Sequence, residues 1–332
     1  MEGGSMVWTL LYTVTGAAQP LMVDHLNRHG FAPPGLLWPV LANFVGMALV
    51  APLHATLTGD KWRSPTVTRR TLVEIVLLDA SSAVLLTYAL LHCGARTFTV
   101  ATSSCALFVS ILGACGPRGR SLKLAQWLAI LCVTAGLALY ATEGKDKNAS
   151  GPLGKLGAGA LFALLGSVGH SGMFVCADRA LTAHGDLSPF ALASIMGASE
   201  AALVIVFNAG MLARRSAFLP MQHGGATVGI AYALLVAVDA AHALAFFATL
   251  GHRGATAASL LKGVQVVSVF GVTSLLCDVA TGQGCATPQK GAGVLLVVFG
   301  LACFHRYDKA PSPEAAEGAP ASLSRSRSKQ II

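Results

Sequence analysis

An all-α integral membrane fold, with ten transmembrane helices in two inverted five-helix repeats, is the architecture this sequence predicts. Three observations carry it. Of the 332 residues, 54% are hydrophobic and only 11% charged, against about 25% charged in a soluble domain; mean hydropathy is +0.64. Apolar runs long enough for a hydrocarbon core of about 30 Å recur between short polar breaks. The two halves of the chain also echo one another in order.

The runs fall at 6–27, 35–57, 70–92, 95–115 and 121–142 in the first half, and at 155–182, 187–212, 225–250, 254–277 and 289–306 in the second. The opening MEGGSMVW has no basic residue ahead of the first run, so that run is expected to act as its own insertion signal. Turn chemistry marks the breaks: HGFAPPG at 29–35, CGPRGR at 115–120 and GKDKNASGPLG at 144–154. Residues 1–142 form the expected first repeat, 143–154 a connecting loop and 155–306 the second repeat. The remainder, 307–332, has too little apolar content to pack and reads as a disordered tail.

The echo is one of position. DASSAVLLTYALLHCGA begins at Asp79 and DAAHALAFFATLGHRGA at Asp239, an offset of 160 residues. The segment 126–141 parallels 290–305, and Asp24-to-Gly30 is repeated, one residue longer, by Asp178-to-Gly185. Because five is odd, consecutive five-helix units enter the bilayer from opposite sides, the plan of many secondary transporters. Arg306, Lys309, Arg325, Arg327 and Lys329, at or beyond the last run, tip an otherwise even loop balance toward cytoplasmic termini. The Asn148-Ala149-Ser150 sequon then falls on the opposite side, in a loop short enough to leave it unused.

The net charge of +8 resides in short loops and the tail, so it reads as a topology signal rather than a nucleic-acid surface. Eight cysteines show no metal-ligand spacing; Cys277 and Cys285 flank one loop and could pair. No zinc-protease, phosphate-loop or nucleophile-elbow motif is present, so neither an enzyme, a metal nor a cofactor is expected.

Chemistry concentrates in the ionisable residues within spans. Lys262 lies eight residues after Gly254, about 12 Å into the bilayer at 1.5 Å per residue. A lysine at that depth costs about 2.5–3.5 kcal/mol on insertion scales and marks an anion or a wet cavity, unless it snorkels to an interface. Gln265 falls one turn later on the same face. Asp239 and His242, three apart, share a face and form either a proton relay or a structural hydrogen bond; Asp79 holds the repeat-equivalent place. Glu200 is either a counter-ion for Lys262 or a buried neutral acid. His170 lies within GSVGHSGMF, and Asp178-Arg179 reads as an interface marker near a helix end.

GATAASLLKGVQVVSVFGVTSLL at 254–276, with Lys290-Gly291, Gly300-Leu301 and Phe304 in the closing helix, resembles the drug/metabolite transporter superfamily. Within it the chain is most similar to the nucleotide-sugar and sugar-phosphate transporter branch. The resemblance implies ten helices in two inverted repeats and a ninth-helix lysine, here Lys262, that contacts substrate phosphate. Gly263 stands where the sugar-phosphate exchangers carry arginine.

The expectation is a secondary transporter of a small anionic or phosphorylated metabolite, a nucleotide sugar or sugar phosphate, working by alternating access as an antiporter. Its expected binding residues are Lys262, Gln265, Asp239, His242, Glu200 and Asp79. Its partners are a small-molecule substrate and the lipid bilayer, with room for a homodimer, and an endomembrane such as the Golgi or ER is favoured. The alternatives are a proton-coupled transporter of a neutral or cationic metabolite, or a membrane protein with no transport.

Overall fold

The computed structural model describes residues 2–31, 36–59, 67–115, 122–142, 153–184, 186–214, 225–275 and 287–308. The Asn148 sequon, Cys277, Cys285 and most of the expected tail lie outside these residues. Helices make up nearly all of the described chain, and it holds no strand. They are α1 (Glu2–Arg28), α2 (Trp38–Ala48), α3 (Val50–Thr58), α4 (Arg69–Ser103), α5 (Cys105–Ala114), α6 (Leu124–Thr142), α7 (Leu153–Ala183), α8 (Pro189–Arg214), α9 (Gly225–Leu275) and α10 (Pro288–Asp308).

Six described segments are long and apolar enough to cross a membrane: Met6–Asn27, Trp38–Thr58, Arg69–His92, Leu161–Ala183, Pro189–Ala213 and Gly225–Val269. Bulky apolar side chains on their outer faces are exposed, including Leu77, Val206 and Ile230. Such a surface suits lipid, which demands internally satisfied backbone but no polar exterior.

Several breaks fall elsewhere than expected. The second run divides into α2 and α3 at Leu49. There Pro52 supplies no N–H, and Ala51 N donates to Ser194 Oγ of α8 at 2.7 Å. The break expected between 92 and 95 is absent, because α4 runs through it to Ser103; no proline interrupts that stretch. The boundary expected near 250–254 does appear. Gly254 breaks α9 with φ 79° and ψ 174°, a conformation that only glycine adopts readily.

The helices pair α4 with α7, α6 with α10, α1 with α9, and α2 with both α8 and α9. Small residues allow these close approaches. At Gly46 a Cβ would stand 2.7 Å from Ala240 N of α9, and at Gly300 it would stand 2.7 Å from Ala129 O of α6. Tyr12, Phe44, Phe174, Phe247 and Met196 fill the main core that these contacts enclose.

Candidate functional site

The bend at Gly254 divides α9 into two arms, one carrying Asp239, His242 and Phe246, the other Lys262 and Gln265. Both arms contribute to a single cavity of about 200 Å³ whose wall is completed by α1, α2, α4 and α7. Of the residues singled out from the sequence, Lys262, Gln265, Asp239, His242 and Asp79 all line it. Glu200 does not; it is wholly buried in α8 away from the wall.

Asp239 and His242 share a face but bond α1 rather than each other. Gln19 Nε2 donates to Asp239 Oδ1 at 2.5 Å. His242 Nδ1 lies 3.0 Å from Thr15 Oγ1. The Thr15 hydroxyl has one proton to give and lies 2.6 Å from Leu11 O, so His242 is the donor in this pair and its Nε2 is left as an acceptor. The His242 ring stacks on Tyr12 with centroids 4.7 Å apart. Gln265 Nε2 donates to Tyr12 O at 3.0 Å. Gly16 makes this assembly fit: a Cβ there would run into the Gln265 amide and stand 2.7 Å from His242 Cε1.

The carboxylate–histidine pair of the cavity joins two other helices. His170 Nδ1 donates to Asp79 Oδ1 at 3.1 Å, a contact between α7 and α4. Lys262 Nζ stands 5.4 Å from the centre of the Phe174 ring, and Phe174 in turn packs on Phe246 at 4.6 Å. Among the described residues no carboxylate comes within ion-pairing distance of Lys262. Neither Glu200 nor Asp239 is its counter-ion, so the pairing weighed from the sequence does not form. The ammonium is half-buried over an aromatic face and lines the cavity.

Sequence reasoning noted His170 as an intramembrane ionisable residue but not its partner, and it passed over Thr15, Gln19 and Phe174. Gln19 carried a readable signal: an amide flanked by Ala18 and Pro20 within an apolar run. Phe174 carried none, since a phenylalanine in an apolar helix is ordinary. Among the described residues the cavity thus holds a cation with no carboxylate partner, two carboxylates engaged by protein donors, two histidines and an aromatic wall. Such a site can bind a small organic ion and exchange protons. Among the described residues no cluster could hold a metal ion.

No protein-family model matches this chain. No curated protein matches it either. A solved structure described as "Crystal structure of protein" is similar in fold, with a TM-score of 0.62 at 18% identity over 89% of this chain and 98% of that one.

Proposed function

We propose that this multi-pass membrane protein is a secondary transporter that moves a small anionic or phosphorylated metabolite by alternating access. The observation that carries this reading is the Lys262 ammonium, which no described carboxylate pairs, on the wall of a cavity within the bundle. An intramembrane charge is expensive and by default marks a pathway or a ligand. A cavity of about 200 Å³ is smaller than the roughly 300–1,000 Å³ usual for drug-sized ligands. In this conformation it therefore suits a sugar phosphate better than a whole nucleotide sugar.

The two-repeat plan belongs to the same proposal, and the contacts support it. Adding 154 to an α1 position and subtracting 160 from an α9 position converts one contact between the halves into another. Tyr12 and Phe246, 5.7 Å apart, become Gly166 and Leu86, where a Cβ on Gly166 would stand 2.7 Å from Leu86 Cγ. Thr15 and His242 become Gly169 and Ser82, where a Cβ on Gly169 would stand 3.2 Å from Ser82 Cβ. The pairings α6–α10 and α2–α8 map onto themselves under the same exchange. Substrate sites of inverted-repeat transporters lie at the interface of the halves, which is where this cavity lies.

The Asp79–His170 contact favours a second reading, transport coupled to protons, because a carboxylate and an imidazole in hydrogen-bond contact can pass a proton between them. Uptake of labelled glucose 6-phosphate and of UDP-glucose into proteoliposomes tests the primary reading. Saturable uptake of either that Lys262→Ala abolishes is the expected result. Equal leakage in protein-free vesicles would leave a non-transporting membrane protein.

A further inference from the structure

The cavity accounts for Asp79, Asp239, His170, His242 and Lys262, and among the described residues it leaves the buried carboxyl of Glu200 unused. Glu200, in the middle of α8, is 0% exposed and lies off the cavity wall. Among the described residues neither of its carboxyl oxygens has a hydrogen-bond partner. The helix face around it carries Met196, Gly197 and Val204, all buried. Gly197 draws α2 close, since a Cβ there would stand 2.7 Å from Phe44 O.

The charged groups on the elements packed against α8 can be taken in turn. Helix α2 has none. In α3, His54 stacks on Phe190, ten residues and about 15 Å back along α8. In α9, Asp239 is held by Gln19, His242 by Thr15, and Lys262 sits over Phe174, while His252 and Arg253 are exposed. In α4, Arg69, Arg70, Glu74 and His92 are exposed, with Arg70 and Glu74 paired, and Asp79 is engaged by His170. An ionised Glu200 would therefore sit in apolar packing, with no donor among the described residues to replace its lost hydration. A hard metal cation is no substitute, because it needs about six oxygen ligands and the neighbouring residues of this face, Met196, Gly197 and Val204, supply no side-chain oxygen.

We propose that Glu200 is a proton-binding site of the transport cycle, protonated while α2 and α8 are packed together and deprotonated when they separate. On separation, water enters the gap and accepts the proton as the carboxyl O–H bond breaks. The electron pair stays on oxygen, and the carboxylate is hydrated. The role in transport rests on the proposed function; the bound proton does not.

Two measurements on the full-length protein separate the two. In infrared spectra at neutral pH, wild type should show the C=O stretch of a protonated carboxylic acid, and the band should be lost in Glu200→Gln. A spectrum unchanged by the substitution overturns the proton site. Glutamine matches the neutral acid in shape, so the variant should fold, with a melting temperature at or above that of wild type. A marked fall would mean that Glu200 is ionised and paired, which also overturns the site. In proteoliposomes, counterflow of glucose 6-phosphate at equal pH should persist in Glu200→Gln, while accumulation driven by an imposed pH gradient is lost. Accumulation equal to wild type overturns the coupling role. If wild type moves no probe at all, the transport reading fails and the spectra still decide the proton site.

Discussion

An ammonium at the depth of Lys262 persists only where water, a counter-charge or a ligand meets it, and among the described residues no carboxylate does. Lys262→Ala should therefore remove binding of glucose 6-phosphate while changing stability by less than about 1 kcal/mol, because no partner is stranded. A loss of about 3–5 kcal/mol, the figure for breaking a buried ion pair, would make Lys262 a strut. Lys262→Arg should keep partial binding, since the charge remains but is spread over a planar fork. Paired readings of melting temperature and probe affinity distinguish these outcomes. Gly16→Ala should act differently, because the new methyl collides with the Gln265 amide and crowds His242. Overpacking of this kind costs about 1–3 kcal/mol, so both melting temperature and affinity should fall. That Lys262, Asp239, His242 and Asp79 are ionisable groups set inside apolar runs was legible, since such residues are conspicuous there. Their partners were not. Asp239 bonds Gln19, 220 positions away, and Asp79 bonds His170, 91 positions away; helical periodicity fixes a face but not the helix opposite it.

Breaks in helices follow the same logic of local signal and remote cause. Gly254 was legible as a boundary because Gly251-His252-Arg253-Gly254 interrupts an apolar run with polar and flexible residues. The break at Leu49 was not, since part of its hydrogen bonding is supplied by Ser194 of another helix. Conversely, the Gly94-Ala95-Arg96 stretch resembled a boundary yet continues as helix, since glycine weakens a helix without ending it. The bend at Gly254 brings the two arms of α9 to one cavity, and its φ of 79° excludes a side chain without strain. Gly254→Ala should cost about 1–3 kcal/mol and weaken probe binding as Lys262 and His242 lose their common orientation. Gly113, helical and open to free space, provides the control. Gly113→Ala should stabilise by roughly 0.5–1 kcal/mol with binding intact. Thermal denaturation of the two variants checks the contrast, and equal effects would remove the special role of Gly254.

At the scale of the whole molecule, the echoes between halves carry a claim that no single helix can carry, the opposite orientation of the two repeats. The α1–α9 and α7–α4 contacts exchange under the sequence offsets, so each half completes its packing with helices of the other. An inverted arrangement lets one structure pass between two mirror-related gate states by rocking one repeat against the other. Parallel repeats would place equivalent loops on the same side of the membrane. Under the proposed repeat the segment that follows α3 and the one that follows α8 would be such equivalents, and Gly59 and Arg214 stand at their starts. In a cysteine-free background, Gly59→Cys and Arg214→Cys should therefore react with a membrane-impermeant maleimide from opposite sides of sealed, oriented vesicles. Gly59 has open space around it, though its φ of 74° means that Thr58→Cys, one residue earlier in the helix, is the safer second probe. Labelling of the α3 and α8 ends from one and the same side would rule out inversion, and with it the alternating-access mechanism built on it. Labelling from opposite sides would leave Glu200, Asp79 and Lys262 in a bundle whose two gates are made from the same sequence pattern used twice.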